Sequence, residues 1–600
     1  MDITRGMRRI VMSVGMLCCL TAGVLPSHAA AKSIIVTTLT DTTDPPFNTG
    51  GLCGSGTVAD LPGADGQVSL REAIHAANHT PGKKSISFAS TLSGATIVLT
   101  GPLYLCGGHT TLNGDVNGDH TPDVTIDGNA VTPPFDVIGI VSSHNTVKSL
   151  RVLALAQNPL VSGLSVTATP AVATTVMHNT LAHNIIHGVL YVGTGADEFN
   201  NRQSISDVTV KHVRVHDNEV SGSLAFGILV GNNGNRNVLT DLTITGNTVF
   251  GNREGISVRH GWQNFFHPED GGANDNRLDV TITDNDITGN GFPSPNPFGG
   301  IIIFGGVNFL PPLPPGVSTN NHLTALVRGN RVENNVGPGI LTYGGLGGAT
   351  DNQVDVTIKD NSITGNQNPG NTAGIAVLGG FVASSNQVAA ELLNNTIVAN
   401  TGNGITVASG LDNSSDNDVA VTIRDNTLEN NTGVGIVTYG GFGALFFPSG
   451  DSSNNILDAR IERNTIKNAP RFGLLVFGGL GSFDGAPTKV ANNNAVTAVV
   501  KDNTITGTVG EGMLLSAGGP GVANTNSIEI AMKKNTVCNS AVLDIHAIGG
   551  FLGGLLPPNQ GAGNSVAGKI AKNTATTIVV EDGVPGNVAN VTQSKNDPCQ

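Results

Sequence analysis

Apolar and polar residues alternate in short runs along most of this chain, and run after run ends in the same way. Around Asn361, Val354, Val356 and Ile358 alternate with Asp355, Thr357 and Lys359, the period-two pattern of a strand with one buried face. The chain then turns at Asp360 and Asn361, Ile363 points back inside, and Gly365 with Asn366 makes a second turn. A third strand from Gly374 to Leu378 closes on Gly379 and Gly380. The same setting recurs at twelve asparagines, Asn179, Asn218, Asn247, Asn285, Asn330, Asn361, Asn395, Asn426, Asn464, Asn503, Asn535 and, more weakly, Asn573, spaced 29 to 45 residues apart. One such unit cannot bury its own apolar face, so the units must stack.

Asparagine suits these turns because it tolerates the left-handed backbone and carries both a donor and an acceptor. Stacked amides can bond one another. A second asparagine follows five residues on at Asn184, Asn252, Asn290, Asn335, Asn366, Asn400 and Asn431, which predicts two partial ladders. Three short parallel strands per turn with Gly- and Asn-rich corners predict an all-β protein, a right-handed parallel β-helix, since parallel crossovers are nearly always right-handed. About twelve rungs at ~4.8 Å spacing make a rod roughly 55 to 60 Å long.

On these repeats, from about Thr146 to Val580, the chain resembles the pectin-lyase-like β-helix superfamily, a resemblance that speaks for fold more than for activity. Unit length varies after the third strand, where proline-rich inserts such as Phe292 to Phe298 and Phe309 to Gly316 crowd one side of the rod. An open end needs a cap. In Ser69 to Asn78, SLREAIHAAN, Ser69 and Glu72 form a capping box, and Leu70, Ala73, Ile74 and Ala77 form one apolar helix face. Ser69, Leu70, Arg71, Glu72 and Ala73 resemble the signature of the CSLREA family of exported β-helix proteins, with Val68 in place of the leading cysteine. That resemblance covers Ile34 to Gly128, implies an exported, surface-type protein and brings no catalytic residues. The expected organisation is a signal peptide at 1–29, a cap with the first strands at 30–130, repeats at 131–580 and a C-terminal cap or tail at 581–600.

Export is expected from the N-terminus. Arg5, Arg8 and Arg9 precede an apolar run from Ile10 to Leu25, and Ser27, His28 and Ala29 make a small-x-small cleavage site. Gly15, Met16 and Leu17 lack the small residue that lipid attachment at Cys18 would require. Of the remaining cysteines, Cys53 and Cys106 lie near one end and Cys538 and Cys599 near the other. Local pairing, one staple per cap, stands beside the alternative of free thiols, because sequence does not fix connectivity. Eighty glycines, 39% hydrophobic and 13% charged residues fit short strands and tight turns, and a net charge of -14 with no basic cluster argues against nucleic acid. No later apolar run is long enough to span a bilayer.

Chemistry is harder to locate. Asp115, Asn117, Asp119, Thr121 and Asp123 offer oxygens at positions 1, 3, 5, 7 and 9 of one loop, the supply expected of a structural Ca2+ site. His120 replaces the usual glycine and Ile126 the bidentate glutamate, and the competing reading is an Asx-rich turn. Aligned third strands place Arg259, Phe304, Tyr343, Leu378, Tyr439 and Phe477 in one outward column. Phe304, Tyr343, Tyr439 and Phe477, with Trp262, would form a sugar-binding platform, although an adjacent apolar column favours a sheltered strand. RHGWQNFFHPED, Arg259 to Asp270, breaks the repeat and supplies the catalytic candidates Arg259, His260, His267 and Glu269. His216, Arg328, Lys359, Arg424, Lys501 and Lys533 recur two residues before the asparagines, either as a basic stripe or as charges balanced by the neighbouring aspartates. Five histidines between His178 and His216 lack cysteine partners or helical spacing, so no metal is assigned to them.

The expectation is therefore an exported surface, extracellular or periplasmic β-helix with a structural or binding role, carbohydrate its leading ligand. A polysaccharide lyase, glycoside hydrolase or epimerase is the alternative, and a protein-contacting adhesin a third. The near-interchangeable rungs lean towards a scaffold.

Overall fold

The computed structural model describes residues 31–47, 51–131, 136–154, 161–194, 204–262, 272–291, 298–308, 318–367, 374–443, 450–481, 488–551 and 558–599. The expected signal peptide and most of both proline-rich inserts lie outside them. Three long parallel sheets wrap one apolar core. The first contains strands such as Gln353–Lys359, the second short strands such as Ser362–Thr364, and the third strands such as Ile375–Phe381. The second and third sheets each hold fifteen strands, a rod of roughly 65 to 70 Å at the usual strand spacing.

The stack is longer than the repeat pattern predicts because both ends of the chain join it. Thr96–Val98 pairs with Val124–Asp127, and Leu103–Leu105 with Ile138–Ile140, so the sheets run through the position 130 boundary. At the other end Val588–Ser594 pairs with Ser565–Ala571. A helix, Leu70–His79, plugs the N-terminal end as expected. Ser69 Oγ accepts from the Glu72 amide at 3.1 Å, Glu72 Oε2 accepts from the Ser69 amide at 2.9 Å, and Leu70, Ala73, Ile74 and Ala77 are fully buried. Arg71 anchors the helix to Asp41 at 2.7 Å and to the carbonyls of Gly101 and Pro102. Disulfides Cys53–Cys106 and Cys538–Cys599 staple the two ends.

Buried asparagines occupy all three corners, one more than the sequence predicts. The first ladder lies between the first and second sheets; in each step one Oδ1 accepts from both the backbone and the side-chain N–H of the preceding asparagine, as from Asn330 to Asn361 at 2.9 and 3.0 Å. The second runs from Asn252 through Asn431 between the second and third sheets. The third, unforeseen, runs from Asn237 through Asn352 and Asn494 to Asn587, where the chain re-enters the first sheet. Asn179 is out of phase: it accepts from Asn145 at an extra early corner, and Asn184 holds the first-ladder position beside Asn218.

The third sheet does not stop at its glycine pair. Gly345 and Gly441 lie so close to the third-ladder asparagines that an added Cβ would come within 2.5 Å of the Asn386 and Asn494 side chains. Only glycine fits there. The strands pass this point and bring Phe381, Leu411, Phe442 and Leu480 over their own outer face, creating a second apolar core outside the β-helix.

Candidate functional site

The aromatic column forms in the predicted register. Arg259 pairs with Phe304, Phe304 with Tyr343, Tyr343 with Leu378, and Tyr439 with Phe477. Phe304 and Tyr343 stack at 5.4 Å and Tyr439 and Phe477 at 5.9 Å. They offer no platform to a sugar, however, because the second core covers them: Phe304 is 1%, Tyr343 8%, Tyr439 6%, Phe477 0% and Trp262 7% exposed. Burial pushes both tyrosine phenols well above their ordinary range.

Two of the four catalytic candidates, Arg259 and His260, are packed into this side of the rod. Arg259 lies over the rings of Phe226, Trp262 and Phe304 at 4.6, 5.1 and 5.5 Å and pairs with buried Glu254 at 2.8 Å. Its charge stabilises the aromatic core from inside. His260 is fully buried, its Nε2 at 3.1 Å from the Asn276 carbonyl, and burial lowers its pKa to about 3. Burial favours its neutral form and places the imidazole among packed groups. His267 and Glu269 lie outside the described residues.

In the 115–123 loop the expected oxygens do converge, but on the loop's own donors. Asp115 accepts from the Gly118 and His120 amides, Asp119 from Thr121, and Asp123 from Val116 and Asn117. The Asn117 side-chain nitrogen reaches Asp119 at 3.1 Å and Asp123 at 3.4 Å. His120 adopts the left-handed conformation that the usual glycine would supply, with φ 67°. The basic column is in register from Arg328 through Lys359 to Leu393, and at Arg424 and Lys501 its charge meets the neighbouring aspartate. Arg424 and Lys501 lie 3.4 and 3.1 Å from Asp425 and Asp502, and Arg463 binds Asp425 at 2.7 Å.

The open surface is on the opposite side, on the outer face of the first sheet. A groove of about 1060 Å3 crosses the strands from Val238–Thr245 to Ala495–Lys501. Its floor is two columns of mostly short side chains. One runs Asp279, Thr324, Asp355, Ala389, Ala420, Asp458 and Thr497, and the other runs Thr281, Leu326, Thr357, Glu391, Thr422, Arg460 and Val499. Midway, His322 Nε2 lies 3.0 Å from Asp355 Oδ2, both partly exposed, and Glu391 stands one rung on and two residues further along the strand. Neighbours within each column are separated in sequence by a full rung, so no local motif marks the groove.

Residues 205–420 match the family model for the right handed beta helix region. This stretch of right-handed β-helix contains the groove's first five strands. No curated protein sequence matches the chain. Among solved structures it is similar to the A-module of the Azotobacter vinelandii mannuronan C-5 epimerase AlgE4, at 15% identity over 67% of this chain and 91% of that one, TM-score 0.34. It is also similar to the catalytic unit of a thermostable GH87 α-1,3-glucanase from Streptomyces thermodiastaticus, at 14% identity over 78% and 66%, TM-score 0.34. A third is the Dettilon tailspike protein, at 13% identity over 93% and 68%, TM-score 0.29. Likeness at this level transfers no chemistry to the groove.

The groove of this β-helix has its own electrostatic character. Asp241, Asp279, Asp355, Glu391 and Asp458 line it against a single cation, Arg460, which lies 3.7 Å from Glu462. Beside the floor, desolvation and the neighbouring Asp458 charge push the Asp418 carboxyl up. Such a surface repels polyanions. Among the described residues no helix is long and apolar enough to cross a membrane.

Proposed function

We infer that this is an exported β-helix protein that binds an elongated, neutral polysaccharide along the outer groove of its first sheet, in a binding or structural role. The observation that carries this is the groove itself: an open, straight, small-residue channel roughly 34 Å long at the rung spacing, whose carboxylates and threonine hydroxyls suit sugar hydroxyls. Ala389 and Ala420 leave room for a ring to lie flat. The stretch from Ser69 to Ala73, which resembles the CSLREA signature, supports a surface-type protein. A structural Ca2+ held by Asp115, Asn117, Asp119, Thr121 and Asp123 belongs to the same reading, supported by the alternate spacing of these residues in one tight loop. Unchanged melting temperature on chelation would remove it.

The binding test is retention of the mature protein on a panel of neutral and acidic polysaccharides at low and high salt. Retention by a neutral polymer, insensitive to salt and lost in Ala389→Trp and Ala420→Trp, is expected. Binding that persists with the floor filled, or binding only to polyanions that disappears in salt, would reject the groove. The His322–Asp355 pair with Glu391 nearby favours a second reading, a carbohydrate-active enzyme. New reducing ends or unsaturated uronate absorbance, lost in Asp355→Asn or Glu391→Gln, would establish it.

A further inference from the structure

The early rungs differ from the rest of the rod in carrying histidine at their corners. His109, His144, His178 and His212, all with left-handed backbone, form a stack with ring centroids 4.5, 4.9 and 4.7 Å apart and nearly parallel planes. One corner on, His183 and Asp217 occupy successive positions of the first-ladder turn, where other rungs have Asp284, Asp360 or Asp425. There His183, His216 and Asp217 place one ligand atom each within 4.8 Å of one another. His216 Nδ1 is 2.8 Å from Asp217 Oδ2, and the His183 and His216 rings meet edge to face at 5.6 Å. His120, on the 115–123 loop, approaches His183 with ring centroids 6.2 Å apart.

We propose that His183, His216 and Asp217 form a binding site for a borderline divalent transition metal such as Zn2+, with His120 as a further ligand that clips its loop to the rungs. Two imidazoles and a carboxylate are the donor set such ions prefer over the oxygen cage of Ca2+. Bonds of about 2.0 to 2.2 Å require donor atoms roughly 3.4 Å apart in a tetrahedron. From the present separation that is a side-chain adjustment of about 1 Å, and none of the three residues is buried. The spacing that announces the site is the rung: 34 residues make one turn here, which sets His216 in register with Ala182, the residue before His183, so the two histidines meet without sharing a strand or helix. The His109 to His212 stack does not chelate in the same way. Parallel rings send their nitrogen lone pairs parallel to one another, so no single point lies within bonding distance of two.

The test is calorimetric titration of the mature chain with Zn2+, calcium present throughout. A single ion per chain is expected. His183→Asn, which keeps a residue that tolerates the left-handed backbone, and His216→Asn should each weaken binding by at least about tenfold, the scale reported even for outer-shell partners of metal ligands. Asp217→Asn should do the same, and His120→Asn should weaken it less. Unchanged circular dichroism of the ion-free variants separates ligand loss from misfolding. Absence of Zn2+ binding would overturn the proposal, as would binding that survives the His183→Asn/His216→Asn pair or disappears instead in His144→Asn/His178→Asn.

Discussion

The outer faces of the first and third sheets are built from the same alternating backbone, yet one is open and the other closed. On the third sheet the outward positions are Leu341 and Tyr343, Val437 and Tyr439, Leu475 and Phe477, all buried under residues that the chain brings back after its glycine pairs. On the first sheet the outward positions are Thr357, Ala389, Ala420 and Thr422, and nothing among the described residues folds over them. Apolar outward columns attract a cover because exposure of that much contiguous hydrophobic surface is unfavourable. Small polar columns need none. Outward direction on a strand therefore does not mean contact with solvent, and the open surface of this rod is the face whose side chains are least conspicuous.

Several changes would break or sharpen that contrast. The largest effect is expected from Phe477→Ala, which empties a fully buried outward position and should cost about 3 to 5 kcal/mol in denaturant unfolding. A cost below about 1 kcal/mol would mean that the cover is loose. Next comes the corner joining the two faces. Asn494→Ala removes an amide that accepts from the Asn455 backbone and side chain and donates to Ser452 O and Asn526 Oδ1, leaving buried groups unpaired at roughly 2 to 3 kcal/mol.

A smaller, pH-dependent effect is expected where the closed face turns polar. His546 lies between Glu511 at 3.0 Å and Glu581 at 2.8 Å. Burial disfavours its charge, but the two carboxylates outweigh that and raise its pKa. A raised histidine contributes fully below its unfolded value of about 6.5 and loses the contribution as pH rises through the folded value. Protection factors over Ile545–Gly550, corrected for the intrinsic rise of amide exchange with pH, should therefore fall above neutral pH, and His546→Gln should remove that fall. The smallest effect belongs to the open face: Thr422→Ala should change stability by less than about 0.5 kcal/mol while weakening polysaccharide retention.

Much of this contrast is absent from the sequence for identifiable reasons. Inward alternation at Val354, Val356 and Ile358, the capping helix and the first two ladders are visible because strand, turn and asparagine recur at fixed local offsets. The third ladder escapes because Asn276, Asn321 and Asn352 follow connections of variable length, within strings already rich in asparagine and aspartate. Asn179 misleads because two corners five residues apart both carry asparagine there. The column of Phe304 and Tyr343 is legible as outward and sheltered, but the source of its cover is not, because it comes from strands continuing past Gly344 and Gly345, where glycine pairs read as an end. The groove and the pairing of His183 with His216 carry no local signature because each is completed across rungs.

The asparagine ladders also bear on how such a protein can change over time. Consecutive links of the first ladder bridge 29 residues between Asn218 and Asn247 and 45 between Asn285 and Asn330, with the same donor and acceptor separated by 3.0 Å in each. The third ladder closes a step of only 23 residues to Asn587 at the same distance. A segment gained or lost between two such links leaves the axial step untouched, so insertions are absorbed sideways and never shift the frame of later rungs. Lineages of this fold are thus free to lengthen, exchange or delete their lateral loops one at a time, while the spine keeps count.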